Sequence, residues 1–320
     1  MCVKILGTGR SLPDKCLTND DIAKIVDTSD EWIKSRVGIE TRHIAENETT
    51  TSMAADAAKK ALIDAKVNAE DIELIIVASV TGDNAVPATA CQVQDIIGAT
   101  NAMAFDINSA CAGFDVALNT VIAYFGAGIY KTALIIGAET LSGIVDWEDR
   151  STCVLFGDGA GAAVVQYSED GLADFIQGAD GGRGAALNKP NAPVKNPFKK
   201  GTDKETGLYM DGQAVFKFAV KTVPQCIEEL LKKNNLEKDD IKYYIIHQAN
   251  KRIIQSVAKR MGESEDKFPS NVSKYGNTSG ASIPILLDEM NENKMLNPGD
   301  KIILCGFGGG LSWGATLIKW

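Results

Sequence analysis

Apolar positions along the chain fall into short continuous runs, separated by longer stretches in which they recur every three to four residues. The runs at 72–80, 133–137, 154–156, 162–166, 241–246 and 302–305 are apolar at most of their positions, with Glu73, Ser79, Gln166 and Lys242 as interruptions, the pattern of buried strands. Helical patterns lie between them, and this alternation predicts an α/β protein built in layers. Self-similarity sharpens the picture. One ungapped offset of 169 residues lays Ala61-Leu62 on Leu230-Leu231, Val67 on Leu236, Asp71-Ile72 on Asp240-Ile241, Ile76 on Ile245, Asn108 on Asn277 and Gly137 on Gly306. It predicts two look-alike halves, 1–169 and 170–320, meeting near 167–171 and packed about a pseudo-two-fold axis that sets equivalent strand ends opposite each other. The stretch 178–207 is rich in Gly, Pro, Asn and Lys, lacks periodicity and reads as a loop or flap.

Composition narrows the class. A chain of 320 residues with 45% apolar and 23% charged residues has an ordinary globular profile. Its net charge of −9 argues against a general nucleic-acid binder, which needs a basic surface. The opening Met1-Cys2-Val3-Lys4-Ile5 has no secretory pattern, and the longest charge-free run, 302–318, contains five glycines and falls short of the roughly 20 apolar residues of a spanning helix. A cytoplasmic protein without a membrane segment is expected. Seven cysteines (2, 16, 91, 111, 153, 226 and 305) are odd in number and form no C-x-x-C pair, so they read as reduced thiols, neither a disulfide framework nor a metal site.

Candidate chemistry begins at residues 103–114, which read as strand, sharp turn and helix, with Asn108 or Ser109 as the cap. Cys111 would then sit in the first helical turn, where the dipole and unpaired N–H groups favour a thiolate. Small neighbours, Ala110, Ala112 and Gly113, leave room for a substrate. A buried cysteine acting as a small apolar side chain is the commoner fate and stays open here. Of two histidines, His43 has charged neighbours and reads as structural. His247 ends the apolar run 243–246, and strand ends are where α/β sites form, although a satisfied core histidine is the default. The offset brings these residues together. His247 corresponds to Ala78, and Asn277 lies in the turn equivalent to the one before Cys111, so the pseudo-axis turns Cys111 toward His247 and Asn277. The glycine run at 306–310 is either a flexible turn or a backbone that approaches a ligand closely enough to donate an N–H to an oxyanion.

Two further segments stand out. Thr28 and Glu31 have capping-box spacing, and Trp32 and Arg36 follow at i and i+4 on one helix face. After His247, residues 249–261 carry Lys251, Arg252, Lys259 and Arg260 and no acid, a solvated face or a docking surface for something acidic.

Taken in order, Asp27-Thr28-Ser29-Asp30-Glu31-Trp32 with Arg36, Asn108-Ser109-Ala110-Cys111-Ala112-Gly113-Phe114, Phe156-Gly157-Asp158-Gly159-Ala160-Gly161-Ala162, His247-Gln248-Ala249-Asn250, Gly276-Asn277-Thr278-Ser279 and Phe307-Gly308-Gly309-Gly310 resemble the β-ketoacyl-acyl carrier protein synthase III family over nearly the whole chain. The resemblance implies a thiolase-like fold, a layered αβαβα structure with two mixed sheets. It implies a decarboxylative Claisen condensation that starts fatty acid synthesis. Cys111 would take the acyl group of an acyl-CoA, acetyl-CoA being the expected primer, with the N–H groups of Cys111 and Gly309 as oxyanion hole. His247 and Asn277 would donate to the thioester oxygen of malonyl-acyl carrier protein as it becomes an enolate. No metal and no cofactor beyond the CoA and phosphopantetheine thioesters is implied. Trp32 and Arg150 would sandwich the CoA adenine, Arg36 and Thr28 would contact its phosphates or ring, Asn250 would guide the pantetheine arm, and Met210 and Phe216 would line the tunnel. Lys217, Arg252, Lys259 and Arg260 would dock the acidic carrier protein. The family is homodimeric, and many members place an aromatic residue before the proline of the Pro87 motif to reach the partner's acyl pocket. Here that residue is Val86, which would share the acyl pocket with Phe307 and leave room for longer or branched primers. The alternatives are a condensing enzyme or acyltransferase of specialised metabolism, a papain-like hydrolase and a non-catalytic acyl-CoA binder.

Overall fold

The computed structural model describes residues 3–191, 197–198 and 207–320. Its first sheet contains β1 (Val3–Ser11), β2 (Leu74–Ala78), β3 (Met103–Ile107), β4 (Thr132–Glu139) and β5 (Gly159–Tyr167) in the order β1-β5-β4-β2-β3. The second contains β6 (Ala173–Ala179), β7 (Tyr243–Ile246), β8 (Lys301–Gly308) and β9 (Ser312–Lys319) in the order β6-β9-β8-β7. Both are mixed in the same way: β2 runs parallel to β3 and β4 as β7 does to β8, while β5 and β9 are antiparallel to both of their neighbours.

Alternation along the strands decides the layers. Leu74 and Ile76 of β2 face a central layer, whereas Ile75 and Val77 face outward. The central layer is made by α4 (Gly113–Gly126) and α7 (Ser282–Glu292), whose Phe114, Leu118, Ile122, Ile283 and Leu287 are buried against both sheets. A helix sealed on both sides must be apolar nearly all round, which is why the segment after Cys111 shows no polar face. The outer face of the first sheet is covered by α2 (Thr50–Ala65) and α3 (Thr89–Ile97). The second is covered by α5 (Gly212–Lys233) and α6 (Lys251–Met261), with α1 (Asp30–Val37) beside them. The result is αβαβα. Among the described residues no helix is long and apolar enough to cross a membrane.

The offset of 169 recurs in the backbone. The 3-10 turn Ala110–Ala112 repeats as Ser279–Ala281, and Ala69–Asp71 repeats as Lys238–Asp240. Left-handed residues repeat too: Ala110 (φ 45°) with Ser279 (φ 49°), and Lys66 (φ 55°) with Asn235 (φ 52°). At the axis, a Cβ on Gly137 would stand 2.2 Å from Gly280 O, and one on the equivalent Gly306 would stand 3.2 Å from Cys111 O. Only glycine lets the two strands approach the opposite turns this closely. The correspondence ends at the last strand, because β8 and β9 join in a tight hairpin while β4 and β5 are separated by a longer segment. The counterpart of β3 is the short helix Val272–Tyr275, so the second sheet has four strands.

Several sequence expectations are corrected. Residues 154–156 form no strand; they follow a short helix, Arg150–Cys153, and Phe156 makes an isolated bridge to Asn277. Strands β1, β6 and β9 were not marked by apolar runs, since glycine and polar residues interrupt them. Within the expected flap, Gly181–Ala186 is a 3-10 turn, and Leu187–Asn188 pairs with Tyr209–Met210. Residues 192–196 and 199–206 of that loop, and Cys2, lie outside the described residues.

Candidate active site

Three turns converge at the axis. In the first, Asn108 Oδ1 accepts the Ala110 N–H (3.3 Å), and left-handed Ala110 carries the chain into the 3-10 turn holding Cys111. The cysteine therefore precedes α4 rather than occupying its first turn, and no side chain caps that helix. In the second, Asn277 Oδ1 accepts the Ser279 N–H (2.9 Å) in the same way. The Asn277 backbone is held on both sides, its N–H by Leu155 O (2.9 Å) and its carbonyl by Gly157 N–H (3.0 Å). With Oδ1 occupied, its NH2 is the group left to donate into the cavity. The third is the end of β7, where His247 is fixed by its N–H to Cys305 O (3.0 Å).

His247 is 1% exposed and packs edge-on to Phe307, with ring centres 5.1 Å apart. Burial pushes it down to about 3, so the imidazole is neutral. Its Nδ1 lies 2.7 Å from Ser282 Oγ, which also accepts the Gln248 N–H (3.3 Å). Nδ1 is thus engaged by Ser282, and Nε2 is the ring nitrogen with no hydrogen bond among the described residues.

Cys111 is 8% exposed. Burial pushes its thiol up to about 11; the Ser279 hydroxyl and the N–H groups of Cys111 and Gly309 favour the thiolate, and the Glu139 carboxylate opposes it. Burial thus favours the thiol, against the thiolate expected from a helix start, because desolvation outweighs the turn's N–H groups. A Cβ on Gly308 would stand 2.7 Å from Cys111 Cβ and 3.0 Å from Sγ, so β8 lies directly against the nucleophile.

Cys111, His247, Asn277, Phe307, Met210 and Asn250 share one cavity of about 60 Å³, walled mainly by apolar side chains. Asn250 also caps α6, its Oδ1 accepting the Ile253 N–H (2.9 Å). Other expected site residues lie elsewhere. Phe216 is partly buried in the core of the second half and does not line this cavity. Val86 is 85% exposed and takes no part in the cavity of its own chain. His43 bonds through Nδ1 to Pro13 O (2.6 Å), a structural role.

Around α1, the Arg150 guanidinium lies 4.9 Å from the Trp32 ring centre and Arg36 5.9 Å from it, while Arg150 Nη1 donates to Asp27 O (2.8 Å). The helix cap is Ser29, whose Oγ accepts the Trp32 N–H, and not Thr28, because the chain turns helical one residue later than the capping-box spacing suggests. Thr28 Oγ1 is buried without a partner. On α6, Ile253, Ile254, Val257 and Met261 face the core, which leaves Lys251, Arg252, Lys259 and Arg260 exposed; Lys217 of α5 is exposed as well. Among the described residues none of these five cations forms an ion pair. Nor is any group of three or more His, Cys, Asp or Glu among them placed to hold a metal ion.

Sequence reasoning missed Ser282, Ser279 and Glu139. Ser279 stood in a quoted motif without a role. Glu139 is a carboxylate that ends an otherwise apolar run and is wholly buried, a signal the chain itself carries.

Comparison with known proteins decides the family. Residues 105–181 match 3-oxoacyl-[acyl-carrier-protein (ACP)] synthase III, and residues 231–320 match its C-terminal part. The chain is 52% identical to beta-ketoacyl-[acyl-carrier-protein] synthase III of Clostridium novyi (strain NT), over 99% of each chain. The chain belongs to the 3-oxoacyl-[acyl-carrier-protein] synthase III family. It is 49% identical to the Clostridium acetobutylicum synthase III, over 99% of this chain and 98% of that one. It superposes on the crystal structure of the Aquifex aeolicus VF5 synthase III with a TM-score of 0.93 and 44% identity, covering 99% of this chain and all of that one. The fold is therefore thiolase-like and the chain is an acyltransferase, a condensing enzyme of the synthase III class that initiates fatty acid synthesis. The two matched stretches hold Cys111 on one side of the axis and His247, Asn277 and Gly309 on the other.

Proposed function

We propose that Cys111 receives the acyl group of an acyl-CoA primer, acetyl-CoA first among them, and that His247 and Asn277 stabilise the enolate formed from malonyl-acyl carrier protein. The observation that carries this reading is a single, mainly apolar cavity lined by the Cys111 thiol, a neutral His247 imidazole and the Asn277 amide, whose Oδ1 is already occupied. The sulfur attacks the thioester carbonyl, and the oxygen that becomes negative is received by the N–H groups of Cys111 and Gly309. Decarboxylation needs no base: the C–CO2 bonding electrons move into the thioester and negative charge appears on its oxygen, where His247 and Asn277 donate. Each such donor is worth about 3 kcal/mol of barrier. The new carbanion attacks the acyl-Cys111 carbonyl, releasing the cysteine and the 3-ketoacyl product.

On this reading the halves 1–169 and 170–320 are the two units whose junction is the site. Trp32, Arg36, Arg150 and Thr28 receive the CoA nucleotide, Arg150 lying on the Trp32 ring. Asn250 guides the pantetheine arm, and Met210 lines the tunnel. Lys217, Arg252, Lys259 and Arg260 dock the carrier protein. The enzyme acts as a cytoplasmic homodimer, in which an exposed Val86 reaches the partner's acyl pocket near Phe307. Incubation with acetyl-CoA should add one acetyl mass to the intact chain, and Cys111→Ser should abolish the adduct. Absence of the adduct in the unaltered chain refutes the reading.

A further inference from the structure

The turn that carries Asn277 lacks the support of its counterpart. Asn108 leaves β3, whose ladder to β2 fixes the backbone. In the second half the place of β3 is taken by the short helix Val272–Tyr275, and the Asn277 backbone joins its neighbour through one isolated bridge, to Phe156. That bridge consists of the Leu155 carbonyl and the Gly157 N–H on either side of Phe156. The placing of Asn277 is therefore only as definite as the placing of residues 154–157, a strap that belongs to no sheet. Leu155 and Phe156 line the cavity, so the strap runs along its wall.

Arg42 holds that strap. It lies in the short strand Thr41–His43 and is the largest wholly buried side chain among the described residues. Its Nη2 donates to Val154 O (2.7 Å) and its Nη1 to Asn19 Oδ1 (2.8 Å), while Nε has no partner. Among the described residues no carboxylate forms an ion pair with it. Burial pushes the guanidinium down to about 10, so it stays charged around neutrality. Burying a cation against two neutral acceptors costs free energy that an apolar side chain of equal volume would not. What the guanidinium supplies is geometry: a planar fork fixes two acceptors at once, which a single ammonium does not. The far acceptor is itself anchored, because Asn19 Nδ2 donates to Ile39 O (2.8 Å) and to Asp30 Oδ1 (2.9 Å). The stem contributes too. A Cβ on Gly157 would stand 3.2 Å from Arg42 Cβ, and one on Gly276 3.4 Å, so the stem backs both glycines that flank the bridge.

Resting on the function proposed above, we propose that Arg42 is a positioning residue for Asn277. Its fork holds the Val154 carbonyl, the strap that begins there holds the Asn277 backbone, and the amide NH2 is thereby set where charge develops on the malonyl thioester oxygen. Arg42 touches no reacting atom and moves no proton. Its loss loosens the strap and with it Asn277, while Cys111 keeps its own turn and its contact with β8. The effect is selective for decarboxylation. A donor displaced by about 1 Å loses up to about a hundredfold in rate. The loss is also bounded by what Asn277 itself contributes, since Arg42 acts only through it.

The test uses the full chain as Arg42→Met, which keeps the stem and removes the fork, as Arg42→Lys, which keeps the charge, as Asn277→Ala, and as Arg42→Met combined with Asn277→Ala. CO2 release from malonyl-acyl carrier protein and acetylation of Cys111 by acetyl-CoA are each measured at saturating substrate. Arg42→Met should lower kcat for CO2 release at least about tenfold, but no further than Asn277→Ala does, with Km within about twofold. Arg42→Lys should fall between Arg42→Met and the unaltered chain. Acetylation should stay within about threefold in every variant, because the nucleophile is held separately. The deciding readout is the double variant, which should release CO2 within about twofold of Asn277→Ala alone, the non-additivity expected of one residue acting through another. Losses that multiply overturn the proposal. So does CO2 release by Arg42→Met at the unaltered rate, and so does an equal loss of both activities, the signature of a merely structural role. If Arg42→Met fails to fold, Arg42→Lys combined with Asn277→Ala decides by the same comparison. Asn277→Ala releasing CO2 at the unaltered rate refutes the underlying function instead, and this proposal with it.

Discussion

Gly308→Ala is the most direct probe of how tightly the nucleophile is placed. Gly308 lies in β8 and is not among the positive-φ glycines, so its backbone accepts alanine without change. The new methyl would stand 2.7 Å from Cys111 Cβ, 3.0 Å from its N and 3.0 Å from Sγ. Comfortable carbon contacts need about 3.5–4.0 Å, so the cysteine turn or β8 must yield by about 1 Å. A misplacement of that size costs about a hundredfold in rate, equivalent to roughly 2.7 kcal/mol of barrier. The expected result is single-turnover acetylation slowed about a hundredfold, with thermal unfolding lowered by the roughly 1–3 kcal/mol typical of overpacking. Gly309→Ala is the control: its nearest neighbour, Ala110 Cβ, is 3.3 Å away, and the loss should stay below about tenfold. Gly308→Ala acetylating within twofold of the unaltered chain, fold intact, would refute the claim that β8 fixes the sulfur.

The other expectations concern separate parts of the machine. His247→Ala and Asn277→Ala should each lower CO2 release from malonyl thioester about 10²- to 10³-fold while leaving the acetyl adduct intact. Because burial pushes His247 down to about 3, its neutral form persists above that value; CO2 release should be flat between about pH 5 and 8, and an acid limb near 6.5 would count against a buried neutral imidazole. Glu139 is raised from 4.5 to about 7, so the folded chain holds a proton there that the unfolded chain has lost, and stability falls as pH climbs through that window. Urea titrations should show Glu139→Gln gaining up to about 3 kcal/mol on the unaltered chain at pH 8 relative to pH 4, and a difference independent of pH would contradict this. Trp32→Ala should raise Km for acetyl-CoA about tenfold and leave acetyl-pantetheine unchanged. Arg252→Glu with Lys259→Glu should raise Km for malonyl-acyl carrier protein without slowing acetyl-CoA loading, and equal loss of both would argue against docking.

Much of the site could be read from the chain because one offset links its parts. Gly137 with Gly306, and Asn108 with Asn277, carry enough of the duplication to set Cys111 opposite His247 and Asn277 from the chain alone. What stayed hidden has physical causes. Strands β1, β6 and β9 are broken by glycine and polar residues, so continuous apolar runs do not mark them. Residues 154–156 are as apolar as a strand but are held by Asn277 in a single bridge. The cap fell on Ser29 rather than Thr28, a one-residue difference that propensity cannot resolve. The Cys111 thiol could not be foreseen, since a helix-start pattern reveals dipoles and N–H groups but not how much water is removed. Glu139, Ser279 and Ser282 are 140 or more residues apart at the extremes, and their association is purely tertiary.

The resting posture of Arg150 has a bearing on how a nucleotide would be greeted. Its guanidinium already lies on Trp32 and is tethered to the Asp27 carbonyl, so the indole face is occupied before any purine arrives. A base entering there has to evict a resident cation, exchanging one stack for two and loosening the tether. The net gain is smaller than both new stacks together, and thioesters lacking the nucleotide escape the exchange altogether. On the proposed reading, recognition there is a displacement, with the arginine as a doorkeeper that must step aside before it can hold the guest.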